Sequence, residues 1–146
     1  MSDETNRMDP SQIKAFLDEP RHAIAAVVRP NGGAQLSPIW FVYEADRLYF
    51  SVFQESAKYR HLCRNPRITL CIDAGHPDAR AVTLSGTAEL IAEDSSERAE
   101  LEWRILRRYH DSDEDAHRYQ AWIAEQGPDA LIAVSPERIM GWDFNG

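Results

Sequence analysis

Cysteine is nearly absent. Cys63 and Cys71 are the only two in the 146 residues, so no disulfide framework is needed, and reduced, cytosolic thiols are expected. Long apolar runs are missing too, since nothing approaches the roughly 20 consecutive apolar residues that cross a bilayer. The N-terminal MSDETNRMDPSQ is polar and acidic, without the apolar stretch of a secretory leader. A soluble, cytoplasmic protein with no membrane partner follows, with residues 1–8 as a disordered leader. Basic residues are in deficit: 16 Lys+Arg against 24 Asp+Glu give a formal charge of -8. That balance argues against nucleic acid as the main partner, because counterion release needs a broad basic face.

Several catalytic signatures are missing as well. The chain has no G-x-S-x-G, phosphate-binding P-loop, G-x-G-x-x-G or H-E-x-x-H. His61, Cys63, Cys71 and His76 do not have the spacing of a zinc site, so no metal is expected. What is present stands against this background. The stretch SVFQESAKYRHLCRNPRITLCI, residues 51–72, carries Lys58, Arg60, Arg64 and Arg67, and from Ser56 to Ile72 it holds no acid. In an acidic chain this suggests a small anionic ligand.

With 43% hydrophobic residues the chain can bury one core, and residues 1–146 are expected to form one domain. Asp9-Pro10 predicts a helix N-terminus running to about Glu19. HAIAAVVRP and AQLSPIWFVY read as strands joined by the turn PNGG, and RLYFSVF alternates at the period of a third strand, giving a meander. Ser56 caps a short helix that Asn65-Pro66 stops. RITLCID and RAVTLSGTAELI are strands, and Gly86 in the latter marks a bulge or a close backbone approach. Two helices follow, the first from Ser95 to Tyr109 with Ala99, Trp103, Leu106 and Tyr109 on one stripe, the second ending at Gly127. Two short strands broken at Ser135-Pro136 close the chain. Six or so antiparallel strands with helical inserts predict a mainly β fold, a small barrel whose closure removes exposed edges.

Two features could carry chemistry. Ser56-Ala57-Lys58 opens a helix, where unpaired N–H groups and the positive end of the dipole favour an anion such as phosphate. The alternative is a plain cap on a solvated helix, but a lysine in a first turn is unfavourable without an anion. Pro38 cannot donate to a sheet ladder, so Ser37-Pro38-Ile39-Trp40 marks an edge where a flat ligand could lie, unless Trp40 and Phe41 simply pack in the core. DSDED, residues 111–115, flanked by His110 and His117, reads as a solvated loop. Trp103, Tyr119 and Trp122 either pack or line a cofactor pocket.

GGAQLSPIWFVYEADRLYFSVFQESAKYRHLCRNPRITLCID followed by AVTLSGTAEL resembles the pyridoxamine 5'-phosphate oxidase-like split-barrel family over roughly residues 21–92, and VSPERIMGW resembles its closing strand. The resemblance implies a homodimeric six-stranded split barrel holding FMN, or the deazaflavin coenzyme F420, at the subunit interface. It further implies that Lys58, Ser56 and Ala57 hold the cofactor phosphate, and that Ser51 and Val52 at the strand end contact the ribityl or phosphate part. Ile39 and Trp40 would lie by the tricyclic ring. His61 stands where the family often has Asn, and Arg80 would reach over from the partner subunit. The strand LSPIWF lacks the basic residues of true pyridoxamine phosphate oxidases, and the resemblance is closer to the flavin/deazaflavin oxidoreductase branch. The expectation is an oxidoreductase acting on a small molecule. The rival is a non-catalytic module that stores, buffers or senses FMN, deazaflavin or haem, or a degenerate barrel that only dimerises.

Overall fold

The computed structural model describes residues 6–146. Helix α1 (Pro10–Leu17) opens on Asp9, whose carboxylate accepts from the Gln12 N–H while the Gln12 side chain returns to the Asp9 N–H. This reciprocal cap satisfies two otherwise unpaired donors. Strands β1 (Ala23–Val28) and β2 (Ala34–Ile39) form a hairpin, then β3 (Val42–Glu44) and β4 (Arg47–Phe53) form another. Helix α2 (Ala57–Arg64) leads to β5 (Arg67–Asp73) and β6 (Arg80–Leu90). The pair α3 (Arg98–Arg108) and α4 (Asp113–Gln126) precedes the long β7 (Asp129–Asp143).

The strands form one 7-stranded antiparallel sheet in the order β2-β1-β5-β6-β7-β4-β3. The expected six strands are therefore seven, and the expected meander does not form. Strands β2 and β3 lie at opposite edges, yet only Trp40 and Phe41 separate them in the chain. Three Cα steps span at most about 11 Å, so the sheet must curl until its two edges approach each other, giving a half-barrel. The single strand expected from Ala34 to Tyr43 breaks here because Phe41 turns fully into the core, and its N–H donates at 3.2 Å to the hydroxyl of Tyr109, the C-cap of α3. A side chain thus takes over a backbone partner that the ladder would have supplied.

At the other end of the chain, the two short strands expected around Ser135-Pro136 are one continuous β7. Register shifts between Ser85 and Gly86, so that Gly86 pairs with Pro136 and Ser85 with Arg138. A proline is tolerated at such a bulge. A Cβ on Gly86 would collide with the Ser135 carbonyl, which explains the glycine.

Alternation in β4 places Leu48, Phe50 and Val52 inside the curled sheet against Leu70, Ile72 and Val82. Tyr49, on the opposite face, is buried under α3 with Leu101, Ile105 and Leu131. The buried stripe of α3 is accordingly Leu101, Ile105 and Leu106, and of the expected set only Leu106 lies on it. Of the expected leader, residues 1–5 lie outside the described residues. Met8 is buried, its N–H donates to the Gly141 carbonyl, and Arg7 bridges to Trp142, so these positions belong to the fold. Among the described residues no helix is long and apolar enough to cross a membrane.

Candidate functional site

Between the β2/β4 wall and the α3–α4 pair lies a cavity of about 480 Å³. Ile39 and Trp40 at the end of β2, Ser51 and Val52 on β4, and Ser56 and Lys58 at the start of α2 all line it. These are most of the residues singled out in the sequence. Strand β4 brings Ser51 to the mouth because its neighbours Phe50 and Val52 are held inward by the core.

The start of α2 sets the electrostatics. Ser56 Oγ accepts from the Tyr59 N–H at 3.2 Å and donates to the Phe53 carbonyl at 2.7 Å, tying the helix to the end of β4. The Arg60 N–H reaches the Ser56 carbonyl, which leaves the Ala57 and Lys58 amides among those a helix does not pair internally. Lys58 is half-buried, and among the described residues no carboxylate pairs with it. Burial pushes its ammonium below the ordinary lysine range. A desolvated cation facing the positive end of a helix is unfavourable on both counts, and an anion in the cavity would relieve both.

Trp40 is fixed from several sides. Its indole stacks on Tyr109 with centroids 5.0 Å apart and planes 7° from parallel, while its Nε1 donates to His22 Nε2 at 3.1 Å. Tyr119 of α4 lies 5.2 Å away. The opposite wall carries an ion-pair network in which Arg98 Nε donates to Glu102 Oε1 at 2.8 Å and Arg98 Nη2 to Asp129 Oδ1 at 2.9 Å. Burial lifts the Glu102 carboxyl above its ordinary range, opposed by the Arg98 hydrogen bond.

Other expected positions fall elsewhere. Ala57 and His61 lie on the far side of α2 and line a second, open depression with Arg29, Asn31 and Gln35. Arg80 is engaged within its own chain: its guanidinium pairs with Asp78 at 2.7 Å and lies over the Phe16 ring at 5.2 Å. Trp103 stacks on His117 and stays out of the cavity, whereas Tyr119 lines it. Trp122, 49% exposed, rests on Tyr119. Sequence reasoning missed His22, Glu102 and Asp129. The i,i+4 pair Tyr119 and Ile123 was the one readable sign that α4 turns a face to the cavity. Among the described residues no His/Cys/Asp/Glu group could hold a metal ion.

A family model described as Pyridoxamine 5'-phosphate oxidase matches residues 10–143. No curated protein is matched. Among solved structures, the conserved hypothetical protein Rv2991 from Mycobacterium tuberculosis is similar with a TM-score of 0.80 at 20% identity, covering 99% of this chain and 89% of that one. An F420 reductase gives 0.63 at 22% identity, with 86% and 94% covered. The haem storage protein HutZ from Vibrio cholerae gives 0.72 at 16% identity, with 89% and 92% covered. At these identities the likeness speaks for the fold.

Proposed function

The chain belongs to the pyridoxamine 5'-phosphate oxidase-like split-barrel family, and on that premise we propose that it is an oxidoreductase using FMN, with coenzyme F420 as the alternative, on a small-molecule substrate. One observation carries the reading: Lys58 is half-buried, unpaired among the described residues, and opens into a cavity beside helix amides that lack internal partners. This donor set suits a phosphate, which would accept charge-assisted hydrogen bonds worth roughly 1.5 to 3 kcal/mol each. The apolar side chains of Ile39, Val52, Ile105 and Leu106 and the fixed indole of Trp40 suit a flat ring. When bound, the flavin or deazaflavin supplies the hydride chemistry. The chain's own residues bind and orient it and exclude water. Ser51 would meet the part between ring and phosphate, and Ala57 would contribute its backbone N–H.

A homodimer fits the outer face of the half-barrel. Register aligns Pro38, Ile24, Cys71 and Thr83 in one outward row and Leu36, Ala26, Thr69 and Ser85 in the next, uncharged across β2, β1, β5 and β6 until Ser85 meets Arg138 of β7. Leu36 is 64% and Ile24 40% exposed, which a second copy would cover. Arg80 would reach a cofactor only across such an interface. The thiols of Cys63 and Cys71 are free and exposed, which suits a reducing cytoplasm.

The rival reading, a non-catalytic haem or flavin store, draws on the likeness to HutZ. Against haem, the histidine in the cavity wall is His22, whose Nε2 already accepts from Trp40. The test is the absorbance spectrum of the purified protein, followed by titration with FMN and F420 and a panel of enones and quinones offered to the reduced complex. Binding with turnover supports the oxidoreductase, and binding without turnover supports the store. Binding of neither cofactor, together with no haem band in the purified protein, overturns both.

A further inference from the structure

The depression on the other side of α2 measures about 500 Å³ and is lined by Arg29, Asn31, Gln35, Ala57 and His61. Arg60 and Arg64 of α2 lie within electrostatic range of His61 in its lining. In a chain with 24 acids against 16 Lys+Arg, most guanidinium groups meet a carboxylate, as Arg47 does with Glu89 and Arg107 with Asp113. Arg29, Arg60 and Arg64 do not. Among the described residues, Arg60 reaches only the Glu55 carbonyl, Arg64 the Val28 carbonyl at 2.6 Å and His61 Nδ1 at 3.2 Å, and no carboxylate lies within salt-bridge distance of any of them. Desolvation first, and then the fields of Arg64, Arg29 and Arg60, hold the His61 imidazolium below its ordinary range. Gln35 belongs to the same wall, its Oε1 buried out of the solvent's reach. A phosphate group offers acceptor oxygens to the arginines that lack a carboxylate.

We infer that this depression is a second anion site, separate from the Lys58 cavity, for a small oxyanion carrying more than one negative charge, of the diphosphate class. Helix α2 divides the two sites, with Lys58 turned to one and Ala57 and His61 to the other. The inference does not rest on the cofactor reading of the cavity.

Inorganic diphosphate is the probe, with citrate as a polycarboxylate arm. Binding is followed by calorimetry and by the His61 ring resonances across a pH titration. Diphosphate is expected to bind and to move the His61 titration upward, because a bound anion offsets the arginines. The double variant Arg29→Ala/Arg60→Ala, which alters exposed side chains, is expected to weaken binding by about tenfold or more. Arg29→Ala/Arg64→Ala should do the same, with circular dichroism confirming its fold. Lys58→Ala should leave diphosphate binding and the His61 shift in place even if it abolishes cofactor binding. Equal binding of citrate would assign the site to multivalent anions at large and overturn the preference for diphosphate. An unmoved His61 titration in the parent, an effect that survives the arginine changes, or one lost in Lys58→Ala would each overturn the second site.

Discussion

Replacing Lys58 with Met should move stability and binding in opposite directions. Methionine keeps the stem that packs beside the cavity and removes the charge. In the cofactor-free protein that charge is half-buried, unpaired among the described residues, and set in the first turn of α2. The dipole penalty alone is about 0.3 to 1 kcal/mol, which for a chain of this length corresponds to a rise in Tm of roughly 1 to 4 °C. The same change removes a charge-assisted hydrogen bond of about 1.5 to 3 kcal/mol from the phosphate, so cofactor affinity should fall roughly 10- to 150-fold. The pH dependence gives an independent sign. Because burial lowers the Lys58 pKa, the folded protein binds fewer protons than the unfolded chain between that lowered value and the ordinary ~10.4, so parent stability gains from rising pH there. Lys58→Met should lack this gain. Thermal melts with and without cofactor, with a fluorescence titration of FMN, read all of these. A variant that melts lower without cofactor yet binds FMN as tightly as the parent would refute the reasoning.

Three further changes probe the frame around the site. Ser56→Ala removes the acceptor for the Tyr59 N–H and the tie to the Phe53 carbonyl, and is expected to cost about 1 kcal/mol in chemical denaturation. Gly86→Ala forces a methyl into the Ser135 carbonyl at the bulge; a loss of about 1 to 3 kcal/mol is expected, and an unchanged denaturation midpoint would count against the bulge geometry. Asp78 is held well below the usual carboxylate range by hydrogen bonds from Arg80 and Asn145. Its contribution is therefore present above the unfolded value of about 3.9 and fades as pH falls through the lower folded value. Asp78→Asn should flatten that acid limb, as followed by circular dichroism between neutral and strongly acidic pH.

Local chemistry was legible wherever a short segment settles its own structure. Asp9-Pro10 predicts α1, Ser56 predicts the start of α2, and Gly86 predicts the bulge, because caps, prolines and missing Cβ atoms act within a few residues. Period-two alternation likewise predicts the inward face of β4. Lys58 could be singled out from sequence for the same local reason, a cation placed where a helix dislikes one.

Pairing between distant segments was not legible. Nothing in AQLSPIWFVY reports that Phe41 leaves the strand for the hydroxyl of Tyr109 at the end of α3, so the edge-to-edge step that turns a meander into a half-barrel belongs to the tertiary structure. Tyr49 and Leu131 look like one-sided strand residues until α3 covers their outer face. His22, just before β1, Glu102 of α3 and Asp129 of β7 join the cavity from separate parts of the chain, and no spacing links them. The sequence by itself determined the elements, the caps and the unfavourable lysine, since these rest on interactions among near neighbours. Only the tertiary structure decided that α2 stands between two hollows, Ala57 and His61 facing one and Lys58 the other. A helix turns about 100° per residue, and which side meets which wall is fixed by the sheet it docks on.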